Sequence, residues 1–246
     1  MNKTQFQWWG HTTLSLQTAS GMVLLQPFFT NKNWCLKRYD SASTSAAQLT
    51  ATRAVFFANA NVDRFDKDVC KYFKQQSTAV YLPNNLKIFF DKFFHFQSVA
   101  LQDGVAIPID NITITPIATP AKIFRFWKWH NEIFHFLIDV EGERTLILSD
   151  GLEDGAIWDH LLKLGKIDRL IFPISKLPCL PFAKKKVVNW QQLVKMVEFL
   201  NIDSITPYAY GSYATSPEGL AAPKLEFENQ MSVLGLASRV SYLTVF

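Results

Sequence analysis

The order of strand-like and helix-like patterns limits the folds that this chain can adopt. Residues 12–17 alternate apolar and polar side chains, and a short turn separates them from the mostly apolar run of residues 22–26. A second short turn separates the strand-like residues 133–140 from 145–148. Two strand-like segments joined by a short turn are typical of β-hairpins. Helical patterns lie between the hairpins, and beyond residue 155 helices alternate with short apolar strands. This order favours two β-sheets packed face to face with helices outside, so the sequence predicts an α/β fold with four layers, αββα.

The same patterns predict the individual elements. Helices are expected at residues 66–75, 156–164, 189–200 and 224–234, with another that begins at the Pro-Asn-Asn of residues 83–85. Strands are expected at residues 12–17, 22–26, 54–57, 80–82, 111–117, 133–140, 145–148 and 169–172, around residue 205, and at 240–245.

Length and composition exclude several classes of protein. The chain has 246 residues, which suits one domain over residues 1–246. The net charge is +4 and the one basic run is the three lysines at 184–186, so a nucleic-acid partner is not expected. The three cysteines are far apart, which predicts neither a disulfide framework nor a zinc knuckle. With no signal peptide or membrane-spanning stretch, the sequence predicts a cytoplasmic protein.

Five stretches in a fixed order carry a resemblance to a known family. They are WWGHTT at residues 8–13, LLQP at 24–27, ANANVDRFD at 58–66, TPA at 119–121 leading to LSDG at 148–151, and PYAYGSY at 207–213. This series resembles the metallo-β-lactamase superfamily, in particular the branch of the N-acylphosphatidylethanolamine-hydrolysing phospholipase D and its lactonase-like relatives. The resemblance implies an αββα sandwich of the metallo-β-lactamase type.

The resemblance also implies that most metal ligands of the family are missing. Where the family has H-x-H-x-D-H, this chain has Asn59, Asn61 and Arg64 in place of the histidines, and only Asp63 is retained. Asp150 matches the bridging aspartate of the family, and Ala209 stands where the last histidine would be. The remnant pocket is therefore expected to consist of Asn59, Asn61, Asp63, Arg64, Asp150, Ala209 and Tyr210.

These substitutions change the chemistry that the site can perform. A catalytic zinc site needs several neutral imidazoles or carboxylates and an open position for water. Arg64 would add a positive charge that repels a divalent ion and pairs with Asp63 or Asp150. The sequence therefore predicts no metal cofactor. The alternative is zinc or another divalent metal in a rebuilt site that uses Asp63, Asp150 and His11.

Other interpretations of the same residues stay open. Taken alone, residues 59–66 also fit a simple strand-to-helix turn with Asp63 as the N-cap. His11 could border the pocket or could hydrogen bond to a loop carbonyl. His135 and His130 are five residues apart at a strand start, so a shared metal is not expected.

Residues 123–130 alternate aromatic with mostly basic side chains. This pattern is typical of a strand with one core face and one solvent face. The alternative is an exposed aromatic rim, in which Phe126, Trp127 and Trp129 contact a membrane surface.

The expected function follows from the resemblance and from the lost ligands. We expect a non-catalytic pseudohydrolase that binds an unknown small molecule or protein in the remnant pocket. One alternative is a metal-dependent hydrolase of the phosphodiesterase or lactonase type, and a second is a peripheral membrane-binding protein.

Overall fold

The computed structural model describes most of the chain. The described residues are 6–29, 32–33, 36–38, 49–59, 66–76, 78–94, 97–119, 133–149, 156–174, 189–210, 213–214 and 221–245. Within them the helices are α1 (Lys67–Gln75), α2 (Asn84–Phe94), α3 (Ala156–Lys163), α4 (Trp190–Phe199) and α5 (Ala222–Val233). The strands are β1 (Phe6–Trp8), β2 (Leu14–Thr18), β3 (Gly21–Leu25), β4 (Lys32–Asn33), β5 (Leu36–Arg38), β6 (Thr52–Phe56), β7 (Ala79–Leu82), β8 (Val99–Ala100), β9 (Ile107–Ile109), β10 (Ile112–Thr119), β11 (Ile133–Val140), β12 (Glu143–Ile147), β13 (Arg169–Pro173), β14 (Ser204–Tyr208), β15 (Tyr213–Ala214) and β16 (Thr244–Val245).

The strands form two large sheets and one small one. The first sheet has the order β16-β1-β2-β3-β6-β7-β8, and the second has the order β14-β13-β12-β11-β10-β9. Hairpins join β2 to β3 and β11 to β12, as the sequence patterns predict. The strands β3, β6 and β7 run parallel in the first sheet, and β12, β13 and β14 run parallel in the second.

The core between the two sheets is built from alternate residues of the strands. In β11, Phe134, Phe136 and Ile138 pack in the cluster that also contains Leu14, Leu16 and Phe56 of the first sheet. Leu137 belongs to a different cluster, on the opposite face of the same strand. Because successive side chains of a strand point to opposite faces, one strand supplies both the central core and an outer core.

Helices cover the outer face of each large sheet. Val69 and Phe73 of α1, with Leu86 and Phe90 of α2, pack on the first sheet. On the second sheet, helices α3, α4 and α5 contribute the buried side chains of Ile157, Leu161, Leu193, Met196, Val197, Phe227 and Met231. The predicted αββα sandwich is therefore confirmed.

The observed elements differ from the predicted ones mainly at the short strands. Only Thr244 and Val245 of residues 240–245 form a strand, and they pair with β1. The preceding Val240 makes an isolated bridge to Ile205. The strands β1, β8 and β9 and the small sheet β15-β5-β4 were not predicted, because two or three residues are too few to show an alternating pattern.

The residue that caps α1 is Asp66, so the alternative with Asp63 as the N-cap is wrong. The helix begins at Lys67, and one carboxylate oxygen of Asp66 accepts hydrogen bonds from the backbone N–H groups of Asp68 (3.0 Å) and Val69 (3.3 Å). The other oxygen accepts from the N–H of Phe29 at 3.0 Å. A cap must directly precede the first helical residue, which Asp66 does and Asp63 does not.

Replacing Asp66 with alanine is expected to destabilise the protein by about 2–4 kcal/mol, because the helix loses its cap and the Phe29 N–H loses its acceptor. Asparagine at the same position retains a capping oxygen and is expected to restore part of that loss. Urea denaturation of the three proteins gives the comparison. An unfolding free energy for Asp66→Ala equal to that of the wild type would contradict the double role of this carboxylate.

No helix within the described ranges is both long and apolar enough to cross a membrane.

Candidate functional site

The candidate site lies where the carboxyl ends of the parallel strands of both large sheets meet. The backbone N–H of Phe134, at the start of β11, donates to the carbonyl of Ala58, which follows β6, at 3.0 Å. The side-chain nitrogen of Gln26, which follows β3, lies 3.4 Å from the hydroxyl of Tyr208, the last residue of β14. These contacts join the two sheets at the same end. We call this place the shared edge and define it by His11, Gln26, Asn59, Ser149 and Ala209.

Gln26 is held firmly at the shared edge by its backbone. Its N–H donates to the carbonyl of Phe56 at 2.7 Å, and its carbonyl accepts from the hydroxyl of Thr12 at 3.3 Å. Its backbone is left-handed, with φ of 49°, and its side chain is buried. A left-handed conformation costs most residues other than glycine about 1–2 kcal/mol.

Two further buried residues of the shared edge are left-handed. His11 has φ of 44° and Ala209 has φ of 60°. The other left-handed residues that are not glycine, Asp110, Glu141 and Asn201, are exposed and lie at turns or a helix end. Residues held in sparsely populated backbone conformations cluster at functional sites of proteins.

The structure places four of the predicted site residues. Asn59 is fully buried three residues beyond the end of β6, and Ala209 is buried directly after β14. His11 is buried in the turn before β2, where its carbonyl accepts from the indole N–H of Trp8 at 2.8 Å and its ring lies 5.2 Å from that of Phe28. Tyr210 follows Ala209 and is half-buried.

Other predicted residues lie outside the described ranges. They are Asn61, Asp63, Arg64 and Asp150 of the remnant pocket, and Phe126, Trp127 and Trp129 of the aromatic rim. The Arg64 ion pair and the membrane contact therefore stay predictions. Ser149, the residue before Asp150 in the sequence, does lie at the shared edge, because it follows the carboxyl end of β12.

Tyr210 can act as a hydrogen-bond donor at the side of this edge. Its ring lies 4.7 Å from that of Trp8, centroid to centroid. Burial raises the pKa of its phenol, and the nearby carboxylate of Glu228 raises that pKa further. The hydroxyl therefore keeps its proton at neutral pH.

Sequence reasoning missed the contact between His135 and Ser149. The backbone N–H of Ser149 donates to Nδ1 of His135 at 3.2 Å, so a neutral ring carries its proton on Nε2. The hydroxyl of Ser149 donates to the carbonyl of Phe134. This pairing fixes the backbone directly before Asp150. The register of the predicted β11–β12 hairpin could have revealed this contact. Phe136 pairs with Ile147, so the residues just before Phe136 lie beside those just after Ile147.

Sequence reasoning also missed a buried arginine. Arg38 of β5 donates from Nη1 to the carbonyl of Phe28 at 2.9 Å and from Nη2 to the carbonyl of Trp9 at 3.0 Å. These two carbonyls belong to the turns on either side of the β2–β3 hairpin. Arg38 therefore links the turn before β2 and the segment after β3 to the small sheet.

The described part of the shared edge does not by itself fit a zinc or iron centre. Zinc and iron sites are built from imidazole, thiolate and carboxylate groups. No cluster of three or more histidine, cysteine or acidic side chains occurs in the portion of the chain that the structure describes. At the two ligand positions within that portion the chain has an amide, Asn59, and a methyl group, Ala209.

No protein-family model matches the sequence, and no curated protein is similar to it. Solved structures are similar in fold. A metallo hydrolase, Igni18 of Ignicoccus hospitalis, matches with a TM-score of 0.69 and 15% identity over 98% of this chain and 95% of its own. The metallo-β-lactamase fold protein YhfI of Bacillus subtilis matches with a TM-score of 0.59 and 12% identity, covering 96% and 89%.

A diiron β-hydroxylase, CmlA of Streptomyces venezuelae, also matches, with a TM-score of 0.73 and 10% identity. The similarity covers 99% of this chain and 53% of the hydroxylase, so this chain spans about half the length of that enzyme. Together these similarities show that the chain has the metallo-β-lactamase fold.

The comparisons correct one prediction. The expectation that this chain has no metal cofactor is wrong, because the structures that share its fold are metallo-hydrolases and a diiron enzyme. That expectation relied on residue types in a few short stretches. A metal centre at a sheet edge draws its ligands from many strand ends, so the loss of imidazoles in one loop does not exclude a metal.

Proposed function

We propose that this chain is a pseudohydrolase of the metallo-β-lactamase fold, which binds a small molecule or a protein at the shared edge without hydrolysing it. Its nearest relatives would be the phospholipase D and lactonase-like branch, with degenerate ligand motifs. The observation that carries this proposal is the pair Asn59 and Ala209. Both are buried at the ends of β6 and β14, where the resemblance expects imidazoles, and neither can supply one.

A bound ion alone does not make a hydrolase. Catalytic zinc sites hold the ion with three protein ligands and keep the fourth position for the water that attacks. An alanine at one ligand position and amides at others weaken the control of that water. Binding without turnover is therefore what this set of residues supports best.

Hydrolysis assays test the proposal whatever metal the chain takes. The wild type would be loaded in turn with zinc, manganese and iron, and assayed with a phosphodiester, a lactone and an amide. We expect each hydrolysis rate to equal the rate in buffer that contains the same metal and no protein. Turnover that is lost in Asp150→Ala would overturn the proposal.

A second candidate is a metal-dependent hydrolase with a rebuilt site. The observation that favours it is the similarity in fold to metallo-hydrolases over nearly the whole chain. Its candidate groups are Asp63, Asp150 and His11, of which His11 is buried at the shared edge. The assays just described distinguish the two candidates.

A further inference from the structure

The hydrogen bonds around Gln26 fix the orientation of its side-chain amide. The carbonyl of Leu148 can only accept, so the hydroxyl of Tyr208, 2.8 Å away, must donate to it. The oxygen of that hydroxyl is then left as an acceptor. The Gln26 atom that lies 3.4 Å from it must be the donor, Nε2. The amide oxygen, Oε1, therefore points away from Tyr208.

This oxygen is the polar atom of Gln26 that can still accept a hydrogen bond from a ligand. Gln26 is 1% exposed, and Oε1 has no hydrogen-bond partner among the described residues. The backbone N–H and carbonyl of Gln26 are already used by Phe56 and Thr12. A buried acceptor without a donor is rare in proteins and calls for an explanation. Here it coincides with a left-handed backbone, φ 49°, which is also unfavourable.

We infer that Oε1 of Gln26 accepts a hydrogen bond from the bound ligand, so that the shared edge takes a neutral ligand with an amide N–H or a hydroxyl group. The inference rests on the proposed function, because it assumes that a ligand binds at this edge. A carbonyl oxygen repels anions, which disfavours phosphate and carboxylate groups. Burying a charged ammonium group beside a side chain that is only 1% exposed is costly, which disfavours a cationic ligand.

A pair of small probes with the same shape tests this inference. N-methylacetamide has an N–H where methyl acetate has an ether-type oxygen. Each would be titrated to molar concentration into the full-length, ¹⁵N-labelled protein, with the side-chain amide resonance of Gln26 as the readout. We expect N-methylacetamide to bind about three- to tenfold more tightly than methyl acetate, as one hydrogen bond allows.

Three variants make the result specific. Gln26→Met removes the amide and is expected to abolish the preference, measured at the backbone amide resonances of residues 25, 26 and 28. Tyr208→Phe releases the amide from its fixed orientation and is expected to reduce the preference. Gln17→Met, on the exposed face of β2, is the matched control and is expected to keep it.

Equal binding of the two probes would overturn the inference, as would a preference that persists in Gln26→Met or the absence of any shift at Gln26. The hydrolysis assays test the proposed function separately. A site that binds both probes equally and hydrolyses nothing would leave the proposed function intact and remove the role of Gln26.

Discussion

Putting histidine at the positions that match the family's ligands is expected to raise the affinity for zinc by at least about a hundredfold, or ~2.8 kcal/mol. The substitutions are Asn59→His, Asn61→His, Arg64→His and Ala209→His. The physical reason is that the resemblance to the family implies that these imidazoles converge on one ion together with Asp63 and Asp150. Histidine also tolerates the left-handed backbone of Ala209 better than most residues.

Competition with a chromogenic chelator measures this affinity, and circular dichroism checks that the variant is folded. The control has four histidines in place of exposed glutamines from separate parts of the chain, Gln17, Gln76, Gln102 and Gln191. Its affinity is expected to stay within about threefold of the wild type, since separated surface histidines do not share an ion. The alignment of the degenerate motifs would be wrong if the two variants bound zinc equally.

Replacing Tyr208 with alanine is expected to destabilise the protein by about 3–5 kcal/mol. The side chain is fully buried between the sheets, and its hydroxyl donates to the carbonyl of Leu148. The substitution leaves a cavity in the central core and removes the partner of both Leu148 and Gln26. Guanidinium denaturation monitored by tryptophan fluorescence provides the measurement.

Tyr242 provides the comparison for Tyr208. Its side chain is 49% exposed and its hydroxyl donates to Glu228 on the surface. Tyr242→Ala is expected to cost less than about 1 kcal/mol. A loss for Tyr208→Ala no larger than that for Tyr242→Ala would show that the sheets are not joined through this residue.

Most of the architecture could be predicted because it depends on local periodicity. The β11–β12 hairpin and the amphipathic helix α4 each span enough residues for the pattern to be clear. The structure places Asn59 and Ala209 beyond the ends of β6 and β14, while their part in one binding pocket stays a prediction. Whether residues 1–246 form one domain, and where in the cell the protein acts, stay predictions.

The contacts that organise the shared edge could not be predicted in the same way. Gln26 and Tyr208 are 182 residues apart, and their hydrogen bond exists only because the two sheets pack together. Arg38 lies on a three-residue strand that has no pattern of its own. The left-handed backbone of Ala209 could not be predicted from the sequence, because alanine rarely adopts this conformation.

Crystallographic fragment screening is the most direct test of the claim that the shared edge is a binding site and not a hydrolytic one. Crystals of the wild type would be soaked with neutral amides and alcohols, and with ester and lactone fragments. We predict intact fragments that recur in contact with Gln26, Asn59 or Tyr210. Fragments that bind only on other surfaces, or hydrolysed products at the shared edge, would contradict the claim.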